Sequence, residues 1–213
     1  GTKLAIDRDT GNVGIGTSSP SYPFHVTGSG DTVAAVTAGA SSVAALNLGN
    51  STNLADGGIR YDNSANALIL RASNTERMRI DSSGNVLVGK TSPTISTSGV
   101  ELRPNGQVFA TQSGAYPLLL NRTTSDGEIV QFRKDNTTVG SIGAFSGDLY
   151  IGTGDTTLKF EDGSDRIVPR GSAGAQRDGS ISLGSTGNRF KDLYLSGTAK
   201  TDTIANVGSG TTT

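Results

Sequence analysis

The chain has 213 residues and a formal net charge of -1, and only 33% of its residues are hydrophobic and 5% aromatic. Its 30 glycines, with abundant serine, threonine and asparagine, favour turns over helices. The 18 basic and 19 acidic residues nearly balance, so the chain has no excess of positive charge that would favour nucleic acid binding. No apolar run reaches the length of about 18 residues that a membrane-spanning helix needs. The chain has no cysteine, which excludes disulfides, and its single histidine excludes a zinc site that needs two from one chain. This composition predicts an all-β protein of short strands and tight turns.

Residues 1–30 are predicted to form a hairpin repeat. The sequence GNVGIGTSSP at residues 11–20 recurs 73 residues later as GNVLVGKTSP at residues 84–93, and a weaker copy lies at residues 102–109. Glycine and asparagine tolerate the positive φ of tight turns, so each copy predicts two strands joined by a turn.

Residues 31–100 are predicted to form a second β-repeat that ends in the second copy of this hairpin. Its first part is ambiguous, because Val33, Val36, Ala40 and Val43 are spaced like one face of a helix. Gly39 and its serine and threonine neighbours are weak helix formers, which favours a pair of strands broken near this glycine. Both interpretations remain open from the sequence.

Residues 101–160 are predicted to form a third β-repeat. Ile129, Gln131 and Arg133 alternate with Val130 and Phe132, a period of two that is typical of a strand. Residues 161–213 are predicted to form a C-terminal distal segment, which includes the most charged part of the chain at residues 161–178.

Several of these motifs resemble a known family. IDSSGNVLVG at residues 80–89 and LKFEDG at residues 158–163 resemble the repeats of tailed-bacteriophage tail fibres. ISLG at residues 181–184 and RFKDLYLSG at residues 189–197 resemble the distal, β-rich region that precedes a C-terminal intramolecular chaperone of the endosialidase type. The resemblance implies an elongated, repetitive trimeric β-fibre of short strands and hairpins, in which parallel, interleaved chains form a homotrimer. It also implies that the chaperone was cleaved from the chain end at Thr213, which would place residues 162–178 near a free tip.

Elementary physics independently favours assembly, although not the number three. An isolated hairpin is marginally stable, and stacked repeats need neighbours to bury their apolar faces. Further copies of the chain would supply those neighbours. The residues expected to face the interior of the assembly are Ile80, Val86, Val88, Leu118, Leu120, Val130 and Phe132.

The resemblance implies a structural, non-enzymatic role in the virion, after synthesis in the cytoplasm of the bacterial host. The segment would present or form the receptor-binding end of the fibre. Its expected partners are other tail proteins and a bacterial surface glycan or outer-surface protein, with no nucleic acid, membrane insertion or cofactor. A tailspike-type glycan depolymerase and a bacterial surface adhesin are the alternative functions.

Four residues are candidates for receptor binding. Tyr116 precedes Pro117 in a predicted loop, where an exposed aromatic ring could stack on a sugar, although it could equally pack on a neighbouring chain. Arg166, Arg170 and Arg177 offer forked donors suited to acidic sugars or phosphates, and the alternative is that they pair with carboxylates of neighbouring chains.

One motif resembles a phosphate-binding loop, since residues 84–91 satisfy G-x-x-x-x-G-K-[ST]. Such a loop needs a helix after it, and residues 92–99 are a poor helix sequence. The motif is therefore interpreted as a hairpin, and Lys90 is expected to lie exposed at the surface.

The acidic and histidine side chains offer two further kinds of chemistry. Acidic side chains could form a glycosidase pair or a calcium site, and His25 could bind a metal on a threefold axis. Turn dipeptides such as Asp126-Gly127 and Asp162-Gly163 favour solvated turns instead. The acidic candidates are Asp126, Glu128, Glu161, Asp162 and Asp165.

Overall fold

The computed structural model describes residues 4–199, which contain fifteen β-strands, two single-turn 3-10 helices and no α-helix. The prediction of an all-β fold is therefore confirmed for this part of the chain, and every strand pair except one is antiparallel. None of the described residues form a helix with the length and hydropathy of a bilayer span. The chain divides into two units, Gly1–Leu119 and Leu120–Thr213, and each is described by itself.

The first unit begins with a three-stranded sheet. The predicted hairpin is confirmed, because the first two strands pair antiparallel across a turn, and the third then pairs parallel to the second. Backbone N–H groups of Thr10 and Asp9 donate to the carboxylate of Asp7, which holds the pKa of Asp7 below its ordinary value. The strands are β1 (Leu4–Ile6), β2 (Val13–Ile15) and β3 (Phe24–Val26).

The rest of this unit is a seven-stranded antiparallel meander, in which each strand pairs with the next along the chain. The second copy of the hairpin motif forms its β7–β8 turn, where Asp81 accepts hydrogen bonds from the backbone of Ser83 and Asn85, each at 2.9 Å. The weaker copy forms the β9–β10 turn. The strands are β4 (Val43–Leu48), β5 (Gly57–Asp62), β6 (Ala67–Ala72), β7 (Thr75–Ile80), β8 (Val86–Val88), β9 (Gly99–Leu102) and β10 (Val108–Thr111).

The second unit contains a five-stranded antiparallel meander. Its first turn is a two-residue hairpin in which Asp135 and Asn136 have φ of 48° and 63°, a left-handed conformation that these residue types tolerate. The strands are β11 (Gly127–Lys134), β12 (Thr137–Phe145), β13 (Asp148–Thr153), β14 (Thr156–Glu161) and β15 (Arg166–Arg170).

The ambiguous stretch at residues 31–42 forms neither a helix nor a pair of strands. It runs as irregular chain to a turn at residues 40–42, and regular structure begins only at Val43. Helical spacing of three valines is therefore insufficient here, because the intervening residues include Gly39 and several weak helix formers.

The three sheets occupy residues 4–26, 43–111 and 127–170. The segment boundaries expected at residues 100 and 160 fall inside β9 and β14. Strand β9 pairs with β8 of the second hairpin motif, and β14 pairs with β15, so each strand belongs to a sheet that extends across the expected boundary. The end of the expected segment 161–213 lies outside the described residues.

Candidate functional site

One face of the seven-stranded sheet is apolar from edge to edge. Strand register aligns two rows of side chains across all seven strands, and every one of the fourteen positions is apolar or tyrosine. None of the fourteen is buried, and Leu46, for example, is 58% exposed. The rows are Leu46, Ile59, Leu70, Met78, Val88, Val100 and Ala110, and Ala44, Tyr61, Leu68, Ile80, Val86, Leu102 and Val108.

The five-stranded sheet has the same kind of face. Its register aligns nine apolar side chains in two rows, none of them buried. Val130 belongs to this face, as does Phe132 two residues later on the same strand. The rows are Val130, Ile142, Ile151, Leu158 and Pro169, and Ala144, Leu149, Phe160 and Ile167.

These faces invert the usual arrangement. An antiparallel sheet that contacts water on one side normally turns its polar face outward and its apolar face to the core. Here the buried side chains lie on the opposite, charged faces, and Leu87 and Glu101 are both 0% exposed. Each sheet therefore leaves its apolar face without a covering layer among the described residues of its own unit.

The charged face of the seven-stranded sheet contains a buried ion cluster, here called the Glu101 cluster (Lys90, Glu101 and Arg103). Lys90 Nζ donates to Glu101 Oε2 at 3.1 Å, and Arg103 Nε donates to Glu101 Oε1 at 2.5 Å. Burial by itself would raise the pKa of Glu101, but the hydrogen bonds from Arg103 and Lys90 outweigh it and hold this pKa below its ordinary value. The Arg103 guanidinium also lies 4.6 Å from the centroid of the Phe109 ring.

The expectation that Lys90 is exposed is wrong. The side chain is 1% exposed, and its ammonium also donates to the backbone carbonyl of Thr94. The interior of the G-x-x-x-x-G-K motif is strand β8, and no helix follows at residues 91–98. Lys90 thus neutralises a buried carboxylate, and the backbone around it does not form a phosphate cradle.

The charged face of the five-stranded sheet contains a larger cluster, the Glu161 cluster (Asp148, Lys159, Glu161, Arg166 and Arg170). Lys159 Nζ lies 3.0 Å from Asp148 Oδ2 and 3.4 Å from Glu161 Oε1. Arg166 Nε and Arg170 Nη2 donate to Glu161 at 2.6 and 3.0 Å. The hydrogen bonds from Arg166 and Arg170 lower the pKa of Glu161 to about 2, and the hydrogen bond with Asp148 raises the pKa of Lys159.

A cavity of about 130 Å³, here called the Tyr150 cavity, opens beside the Glu161 cluster. The aromatic rings of Phe145 and Tyr150 line it together with the charged side chains of Lys159, Arg170 and Glu128. Arg170 and Glu128 are both candidates from the sequence, but no sequence pattern connects the two. The missed signal is the period of two along β14, which places Thr157, Lys159 and Glu161 on the same face.

The four candidate receptor residues occupy different environments. Tyr116 lies in the first unit, outside any strand, and is 82% exposed. In the second unit, Arg166 and Arg170 meet at Glu161, with side chains 60% and 19% exposed. The aliphatic part of the Arg177 side chain packs on Gly171. The pKa of Asp155 is lowered mainly by hydrogen bonds from Ser172 and to a smaller extent by the positive charge of Arg177.

The other candidate chemistry does not assemble within the described residues. Asp126 accepts a hydrogen bond from the backbone of Ser146, and Glu128 accepts one from Gln131. A glycosidase acid needs a raised pKa, whereas that of Glu161 is lowered. Between residues 4 and 199, no three histidine, aspartate or glutamate side chains converge as metal ligands.

A comparison of the chain with protein-family models, curated proteins and solved structures finds no match. The features that bear on function are therefore the apolar faces, the two ion clusters and the cavity.

Proposed function

We propose that this chain is a structural segment of a phage tail fibre, in which three parallel copies bury their apolar faces against one another. The observation that carries the proposal is the uncovered apolar face that recurs in both sheets. Burial of apolar surface contributes about 25 cal/mol per Å², so a face of this kind is stabilised only when a further layer covers it.

Copies of the same chain are the best candidates for that layer. Most soluble oligomers are symmetric assemblies of one chain, and a parallel assembly brings each sheet to the same level as its copies. The faces offer apolar surface with hardly any hydrogen-bonding groups, which suits permanent burial between copies. The number three comes from the resemblance to tail fibres.

Such a fibre would act by geometry rather than by chemistry. Three copies of each loop would contact the bacterial surface together, so that weak contacts multiply through their effective concentration. Tyr116 and Arg166 are the most exposed side chains of the candidate set and would make such contacts on the outer surface. Other tail proteins would hold the opposite end, and the protein would function in the virion.

The test is the mass of the purified protein in solution. Sedimentation equilibrium should give three times the 21.7 kDa of the chain. Ile151→Asp, which places a charge on the apolar face of the five-stranded sheet, should lower the mass towards that of one chain. Ser83→Asp, a matched charge in an exposed turn, should leave the trimer intact.

A stable, folded monomer of the unmodified chain would contradict the proposal. If the trimer forms, binding of the labelled protein to intact bacterial cells tests the receptor-binding role. Release of sugars from purified surface polysaccharide would instead select the depolymerase.

A further inference from the structure

The Tyr150 cavity has a floor made of two cross-strand rows. Strand register aligns Glu128, Gly143, Tyr150 and Lys159 in one row, and Ser141, Gly152, Thr157 and Arg170 in the other. Seven of these eight residues line the cavity, the exception being Gly143. The floor is thus an extended polar surface built on a sheet, which is a rigid support for a ligand.

A short segment after β15 forms one wall of this cavity, and it is held in place on both sides. The backbone N–H and the hydroxyl of Ser172 both donate to Asp155 Oδ1, at 3.3 and 2.8 Å. Gly174 packs directly against the ring of Phe145, so that a side chain at this position would collide with the ring. The wall is therefore a fixed part of the cavity.

Several polar groups that line the cavity have free hydrogen-bonding capacity. Arg170 Nε is buried and has no hydrogen-bond partner in the described part of the chain, where the hydroxyls of Tyr150 and Ser141 also bond to no other protein group. The cavity has room for about four water molecules at roughly 30 Å³ each, or for one small polar molecule. A buried N–H group such as that of Arg170 Nε normally has a partner, so the cavity calls for a polar occupant.

The charges are arranged with one sign at each end. The negative charge of Glu128 lies on β11, at one edge of the sheet. The positive charges of Lys159 and Arg170 lie on β14 and β15, towards the other edge. The Glu161 cluster at that second edge contains three cations, Lys159, Arg166 and Arg170, against two anions, Asp148 and Glu161, and so has a net charge of +1.

We infer that the Tyr150 cavity binds a small hydroxy acid, in particular the carboxylate-bearing residue of an acidic sugar. The carboxylate of the ligand would lie towards Lys159 and Arg170, because that end has the positive excess. Its hydroxyl groups would exchange hydrogen bonds with Tyr150, Ser141 and Glu128, and the ring of Tyr150 would cover one face of the sugar.

This inference rests on the proposed function, because the acidic sugar would be the part of the bacterial surface receptor that the fibre recognises. The site itself is formed by one chain. Binding can therefore be measured whether or not the trimer proposal holds.

The experiment is saturation-transfer NMR and calorimetric titration of the purified protein with three probes: D-glucuronate, D-glucose and acetate. Glucuronate should bind, and glucose and acetate, which each lack one half of the recognised chemistry, should bind at least about tenfold more weakly, a factor that corresponds to one charge-assisted hydrogen bond.

Two variants locate the site. Tyr150→Phe removes one hydroxyl and should weaken glucuronate binding about five- to tenfold, and Ser141→Leu fills the cavity and should abolish binding. Tyr194→Phe makes the same chemical change at a tyrosine that is 90% exposed and should leave binding unchanged. Sedimentation of each variant checks that the assembly is intact.

Absence of glucuronate binding to the intact protein would overturn the inference, as would binding that persists unchanged in both Tyr150→Phe and Ser141→Leu. Glucose binding as tightly as glucuronate would overturn the assignment to an acid. None of these results bears on the mass of the assembly, so failure of the ligand site and failure of the trimer are distinguishable.

Discussion

The seven-stranded and five-stranded sheets have the same plan but differ in what lies on their charged faces. Each exposes an apolar face and buries a glutamate between basic side chains. In the Glu101 cluster the carboxylate is fully enclosed by one lysine and one arginine. In the Glu161 cluster there are three cations, Arg166 is largely exposed, and a cavity lies alongside.

The difference shows how one architecture supports two roles. A closed ion cluster makes its own sheet depend on every member, because removal of any one partner leaves a buried charge. Both clusters contain one more cation than anion, but only the Glu161 cluster lies beside a cavity from which an external anion can reach it. We therefore expect the Glu101 cluster to have a structural role alone and the surroundings of the Glu161 cluster to contact a ligand, and the variants below test this difference.

The largest effect is expected from Lys90→Met. This change removes the ammonium from Glu101 and leaves its carboxylate buried with Arg103 as its only basic partner, so the unfolding temperature should fall markedly. The double variant Lys90→Met with Glu101→Leu should recover much of the loss, since an apolar pair can replace a buried ion pair. Differential scanning calorimetry measures both, and an unchanged midpoint in Lys90→Met would contradict the role of the cluster.

Leu87→Ala should produce the next largest effect. Leu87 is fully buried on the charged face of the seven-stranded sheet, and truncation of a buried leucine costs about 2–5 kcal/mol. Chemical denaturation should show this loss at every protein concentration. Val88→Ala, the neighbouring position on the apolar face, should instead have an effect that grows as dilution dissociates the assembly. If Leu87→Ala and Val88→Ala lowered the stability equally at every protein concentration, the apolar face would not be the one buried between copies of the chain.

Acid should weaken the five-stranded sheet in a defined window. The pKa of Glu161 is about 2 in the folded chain, below its ordinary value of 4.5, so its contribution to stability is complete above that ordinary value. The contribution is lost as the pH falls from about 4.5 to about 2. Glu161→Gln should be less stable at neutral pH and should lose much of this pH dependence, which circular dichroism at a series of pH values would detect. The same slope in the variant would mean that other carboxylates are responsible.

The smallest effect is expected from Lys134→Ala. Lys134 pairs with Asp135, but both side chains are largely exposed, and exposed ion pairs contribute little to stability. Its unfolding midpoint should equal that of the unmodified protein. A loss comparable to that of Lys90→Met would show that burial does not set the importance of an ion pair here.

Local features of the fold follow from the sequence with little help from the rest of the chain. Each copy of the GNV motif completes a hairpin turn that begins at an aspartate, Asp7 or Asp81, which accepts hydrogen bonds from the backbone of the turn. The alternation of Val130 and Phe132 with their neighbours predicts strand β11 and its apolar face correctly, although Ile129 falls at a bulge between Glu128 and Val130. Both depend on contacts within a few residues.

By itself, therefore, the amino-acid sequence determined the repeated hairpins, strand β11 and the all-β class, since these depend on local backbone preferences and on a period of two, but it did not determine the irregular stretch at residues 31–42. Only the tertiary structure decided that Lys90 is buried and that Arg166 and Arg170 meet at Glu161, because these contacts depend on strand register and on the loops that fold back onto the charged faces. It also decided that the charged face of each sheet is the enclosed one. The alternation of apolar and polar residues assigns side chains to the two faces of a strand, but it does not show which face is covered by the same chain and which is left exposed for another copy.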